Sequence, residues 1–141
     1  MELESLYREV IMAHHQNPFG RLPLNHVDCS AHGYNSSCGD EYTVNIELKG
    51  DVVEGIQIEG NGCAISGAAG SMLGQVAKGM TLQQLKELIS KYRNMLTSGE
   101  ADETLPGDLP ALAGVNKFPV RIKCASLPMT TTLDAINQLQ K

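Results

Sequence analysis

The residues of this 141-residue chain best equipped for chemistry are its four cysteines, at positions 29, 38, 63 and 124. Cys38 stands in Ser37-Cys38-Gly39-Asp40, where a carboxylate follows the thiol by two residues across a flexible glycine. Cys63 follows Gly60-Asn61-Gly62, and Cys124 follows Arg121 and Lys123. In an oxidising compartment four cysteines suggest two disulfides, whereas in a reducing one they are metal ligands or reactive thiols. Three thiolates (Cys38, Cys63 and Cys124) with the Asp40 carboxylate suit tetrahedral Zn²⁺. The carboxylate is the harder, more weakly held donor, so the Asp40 corner or one thiolate could exchange without unfolding the site. Two other readings stay open. Free cysteines are often small buried hydrophobes, which fits a Cys flanked by Gly and Asp in a turn poorly, and a pair of thiols could form a redox disulfide.

Bringing distant thiols to one ion is the task of the elements around them. Tyr42, Val44, Ile46 and Leu48 alternate with Glu41, Thr43, Asn45 and Glu47, which predicts a half-buried strand. Lys49-Gly50-Asp51 is a turn signal and Val52 to Glu59 returns, so 41–59 reads as a hairpin. The start of its first strand lies beside the end of its second. Cys38 and Cys63 therefore belong at the same end of the sheet, while local pattern does not place Cys124. Cys63 also opens a helical pattern of Ile65, Ala69, Met72, Leu73 and Val76, whose N-terminal partial charge favours a thiolate. Arg121 and Lys123 would do the same for Cys124 and for incoming sulfur anions, or else form an ordinary solvated face.

Elsewhere Leu3, Leu6, Tyr7, Val10, Ile11 and His14 predict an amphipathic helix over the first fifteen or so residues, ended by Asn17-Pro18. A short strand is expected around 26–32. Gly67, Ala68, Gly70 and Ser71 give the helix after Cys63 a thin flank for close packing. Thr81-Leu82-Gln83-Gln84 fits a capping box opening the next helix. Residues 98–108 are acidic and read as an exposed loop; a short helical piece at 109–114 and a segment from Phe118 through Cys124 precede a last helix near 131–140. Met72, Met80, Met95 and Met129 belong in or near the core. His14 and His15 read as capping or surface residues, and Cys29-Ser30-Ala31-His32 as an incidental pair despite its metal-like spacing. The result is an α+β fold, a small antiparallel β-sheet with helices packed on one face, in a single domain over 1–141.

The formal net charge of −5, without a long Lys/Arg cluster, excludes a phosphate backbone as the expected partner. No segment approaches the roughly 18 apolar residues of a membrane span. The acidic, amphipathic start argues against a signal peptide, so a cytoplasmic protein is expected.

The stretches Val10-Ile-Met-Ala-His-His-Gln-Asn-Pro18, Cys38-Gly-Asp40, Gly60-Asn-Gly-Cys-Ala-Ile-Ser66 and Phe118-Pro-Val-Arg-Ile-Lys-Cys124 resemble the U-type iron–sulfur scaffold family, and within it the SufU branch. The likeness runs over nearly the whole chain. A long stretch between Cys63 and Cys124, including the 98–108 loop, matches the SufU insertion, and Lys123 stands where IscU-type chains place a ligand His. His15 and Ala13 depart from the usual run at the first helix end, and Cys29 with His32 is extra. The resemblance implies a zinc site of Cys38, Asp40, Cys63 and Cys124. It also implies that Cys38 accepts persulfide sulfur from a SufS-type cysteine desulfurase and passes it to downstream Fe–S assembly proteins, with Arg121 as electrostatic support. The alternatives are a scaffold holding a nascent [2Fe–2S] cluster or iron on the same residues, and a structural zinc docking module.

Overall fold

The structure, a computed structural model, describes residues 3–139, with side chains from position 8 onward. Met1 and Glu2, and the side chains of Leu3, Leu6 and Tyr7 that the helical spacing singled out, lie outside the described residues. Helix α1 (Leu3–Gln16) leads into strands β1 (Cys29–Asn35), β2 (Asp40–Lys49) and β3 (Val52–Asn61). Helices α2 (Ala64–Val76) and α3 (Leu82–Ser98) follow, then a 3-10 segment (Leu109–Lys117) and helix α4 (Pro119–Gln138). The strands form an antiparallel sheet in the order β1-β2-β3.

Alternation along β2 decides what faces the helices. Tyr42, Val44 and Ile46 are buried, and Asp40 keeps the same phase, so the carboxylate is delivered to the covered face. Helix α4 lies over β1 and β2, and α2 packs against β3 and α4. Gly70 permits that approach: a β-carbon there would sit 3.3 Å from Ile58 Cγ2 and 3.7 Å from Pro128 Cγ. The capping box at α3 forms, with Thr81 Oγ1 accepting from the Gln84 amide at 3.1 Å and Gln84 Oε1 accepting from the Thr81 amide at 2.9 Å. Met72, Met95 and Met129 are buried, and Met80 packs against the core. Among the described residues, no helix is long and apolar enough to cross a membrane.

Four expectations need correction. The first strand lies at 29–35 rather than 26–32, because Cys29 pairs with Ile46 and Asn35 with Asp40. The last helix begins at Pro119, not near 131; burial of Ala125, Leu127, Met129 and Thr132 in different directions blurs its period, and Pro128 inside it looks like a breaker. The helical piece after the loop extends through Lys117. The 98–108 loop is not wholly exposed, since Leu105 enters the core.

Candidate metal centre

The site forms where the ends of β1 and β2 meet the starts of α2 and α4. Asn35 and Asp40 are the closing pair of the first hairpin, and Cys38 occupies the turn between them. Gly39 has φ +70°, a left-handed conformation that glycine adopts without strain, and this lets the turn present Cys38 before β2 begins. Cys63 is the N-cap residue of α2, as its place in the sequence suggested. Cys124 lies in the second turn of α4 and is fully buried.

Two thiols and the carboxylate converge. Ligand atoms of Cys38, Asp40 and Cys124 all lie within 4.8 Å of one another, and the Cys124 and Cys38 sulfurs are 3.1 Å apart. All four cysteines are free thiols. The Cys63 sulfur stands outside the 4.8 Å group. It remains close enough to interact with Cys124, and it shares an open groove of about 1020 Å³ with Cys38. Exposed Phe118 and Val120 line that groove together with Arg121.

Asp40 is wholly buried, and its charge is held by donors. Its Oδ1 accepts from the Cys63 amide at 2.8 Å and from Ser66 Oγ at 3.1 Å; its Oδ2 accepts from Asn35 Nδ2 at 3.2 Å. Burial opposes ionisation, but the Cys63 amide, Cys124, Ser66 and Asn35 together hold the carboxyl below its usual range. Burial, then contacts with Cys38, Asp40 and Cys63, push the Cys124 thiol up. Arg121, exposed beside the groove, places its positive charge near Cys124 and Cys63. Gly62 makes the carboxylate's position possible: a β-carbon there would collide with Ser66 Oγ and approach Asp40 Oδ1 to 2.6 Å.

Sequence reasoning missed three supporting residues. Asn35 also directs its amide at the Cys124 sulfur, 3.7 Å away, and Tyr42 meets Ser66 Oγ at 3.2 Å. Asn35 carries no motif; the strand phase shared with Asp40 was the available signal for Tyr42, and the place of Ser66 three residues after Cys63 was the signal for Ser66. The other polar candidates go elsewhere. His14 is buried rather than a surface residue, with Nδ1 2.6 Å from Ser71 Oγ and Nε2 2.8 Å from Asp108 Oδ2. Cys29 is buried in β1, while exposed His32 pairs with Glu41 at 2.9 Å, so the two do not form a ligand pair.

Thiols and a buried carboxylate gathered at the end of a helix-covered three-stranded sheet, open to a groove, define a small α+β protein with a candidate metal site. The model of the NifU-like N terminal domain matches residues 6–125, and the chain belongs to that family. It is 41% identical over 129 residues to the zinc-dependent sulfurtransferase SufU of Bacillus subtilis (strain 168), covering 89% of this chain and 85% of the relative. The iron-sulfur cluster assembly scaffold protein IscU of Streptococcus pyogenes serotype M1 is 32% identical over 139 residues, covering 97% and 86%. A crystal structure described as an iron-sulfur cluster assembly scaffold protein for the SUF system, from Fervidobacterium islandicum AW-1, superposes with a TM-score of 0.83 at 31% identity. That superposition covers 90% of this chain and 93% of that one.

Proposed function

We propose that this protein acts in iron–sulfur cluster assembly as a zinc-dependent sulfur acceptor, taking persulfide sulfur from a SufS-type cysteine desulfurase. One observation carries the reading: Cys38, Asp40 and Cys124 converge within 4.8 Å at the edge of an open groove. Two sulfurs and a buried, ionised carboxylate are a donor set that zinc accepts. Cys38, Asp40 and Cys124 would hold the ion, with Cys63 as the fourth donor. When bound, zinc favours the deprotonated form of neighbouring thiols near neutral pH.

The chain's own residues do the rest. Cys38 is the acceptor because it stands half-exposed on the groove in a turn that Gly39 frees to move, whereas Cys63 is fixed as the N-cap of α2 and Cys124 is buried. The Cys38 thiolate attacks the terminal sulfur of the donor persulfide. A new S–S bond forms at Cys38, the donor's S–S bond breaks, and the donor cysteine leaves as its thiolate. The proton on the transferred sulfur travels with it, so no external oxidant or reductant is needed. Arg121 supplies positive charge beside the sulfur anions.

The experiment measures metal in protein purified without added metal, desulfurase turnover with and without this protein, and persulfide by mass spectrometry. One tightly held zinc, stimulated turnover and persulfide on Cys38 that is absent in Cys38→Ser are expected. Persulfide remaining on Cys63 or Cys124 would reassign the acceptor. The relatives named as scaffolds support a second reading, a [2Fe–2S] cluster or iron on the same residues; a stable coloured cluster without stimulation would put it first. A fold-only effect of Cys38→Ala and Asp40→Ala would instead identify a structural docking module.

A further inference from the structure

Behind the metal centre, on the other side of Gly62, lies a second cavity of about 250 Å³ lined by His15, Arg21, Tyr42, Gly62 and Gly67. Its chemistry contrasts with the rest of the chain. The protein carries a net charge of −5, yet no carboxylate lines this cavity. His15 and Arg21 are exposed and, among the described residues, neither has a hydrogen bond or ion pair. His14 also lines the wall, but its two ring nitrogens are taken by Ser71 and Asp108. The Tyr42 hydroxyl closes one side of the cavity, its hydrogen directed at Ser66 Oγ 3.2 Å away.

Gly67 measures how closely the walls converge. A β-carbon built there stands 3.4 Å from His15 Nδ1 and 3.6 Å from the Tyr42 hydroxyl, so both groups border the same small space. Asp40 is not among the lining residues, and its Oδ1 is already occupied by the Cys63 amide and Ser66. We propose that this cavity is a binding site for a small tetrahedral oxyanion of the phosphate class, held by Arg21 and His15. A guanidinium fork and an imidazole N–H present three donors, matching three oxygens of a tetrahedral anion where a carboxylate has two. The site shares the walls Tyr42 and Gly62 with the metal centre but uses none of its thiols.

The test is a titration of the metal-loaded protein with inorganic phosphate at constant ionic strength, followed by backbone-amide NMR, with chloride and acetate as parallel arms. Phosphate should shift the amides of residues 60–67 saturably, while chloride and acetate do not. Arg21→Gln should weaken binding about tenfold, the loss of one charge-assisted contact. Gly67→Ala should weaken it as well; its added methyl makes only ordinary contacts and alanine suits a helix, so that variant folds. Shifts that grow without saturating would overturn the proposal. So would saturable shifts unchanged in Arg21→Gln, which is the result expected of phosphate acting at the metal itself. Acetate binding as tightly as phosphate would overturn the tetrahedral assignment.

Discussion

At the residue scale the centre is governed by what holds a buried charge. Asp40 takes three donors from two separate segments, the end of β1 and the start of α2, and removing one leaves the carboxylate short rather than merely rearranged. Asn35→Ala should therefore cost about 1–3 kcal/mol of stability and weaken metal retention, read by denaturant unfolding and chelator competition. Asp40→Ala should abolish stimulation of the desulfurase while circular dichroism still shows a folded chain; unchanged activity would remove Asp40 from the mechanism. Thiol reactivity separates the four cysteines. Burial and then the Asp28 charge push the Cys29 thiol up, and burial with its neighbours pushes Cys124 up, so both stay protonated at mildly alkaline pH. In metal-free, reduced protein at about pH 8, iodoacetamide should label the half-exposed Cys38 and Cys63 first, as mass spectrometry would show. Raising the pH toward the displaced values should bring the two buried thiols into reaction, the direction expected when the neutral form is the one the fold favours. The candidate ligands were legible as residue types in a spaced pattern, and three of the four, Cys38, Asp40 and Cys124, converge. Asn35 was not legible, because an asparagine in a polar loop looks the same whether or not a carboxylate folds over it.

At the element scale, period and punctuation predict well where burial is one-sided. The β2–β3 hairpin and the capped α3 are such cases, whereas the helix after Cys63, buried nearly all round, announced itself by its apolar, small-residue composition. Thr81→Ala should lower stability by about 1 kcal/mol through loss of the cap, with no change in metal content, which makes it a control for fold effects. Helix α4 escaped sequence reasoning for a physical reason. Thr131 and Thr132 are buried, and their hydroxyls donate to the Leu127 and Pro128 carbonyls, each at 2.7 Å. Such bonds satisfy polar groups inside the helix, so residues that usually mark loops sit in a core. This is also why Cys124 could not be placed: the segment carrying it was read as preceding the last helix rather than as part of it.

At the scale of the whole molecule, fold and site are one construction, because the donors come from the first hairpin and the last helix. Metal removal should then lower the melting temperature, since an ion bound only by the native state stabilises it by mass action. Differential scanning calorimetry of chelated and zinc-loaded protein checks this, and the difference should shrink in Cys124→Ser. The fold class and the hairpin end of the site were open to inference from local pattern. The meeting of Cys124 with Cys38 depends on packing of α4 across the sheet, which no local pattern encodes. That separation also has a temporal meaning. The two cysteines lie 86 residues apart, so a ribosome adding about 5–20 residues per second leaves the earlier thiol without its mate for roughly 4 to 17 s. Each newborn chain thus passes through a window in which Cys38 is open to oxidants and stray metals, and the order of translation makes the helix carrying Cys124 the last to close it.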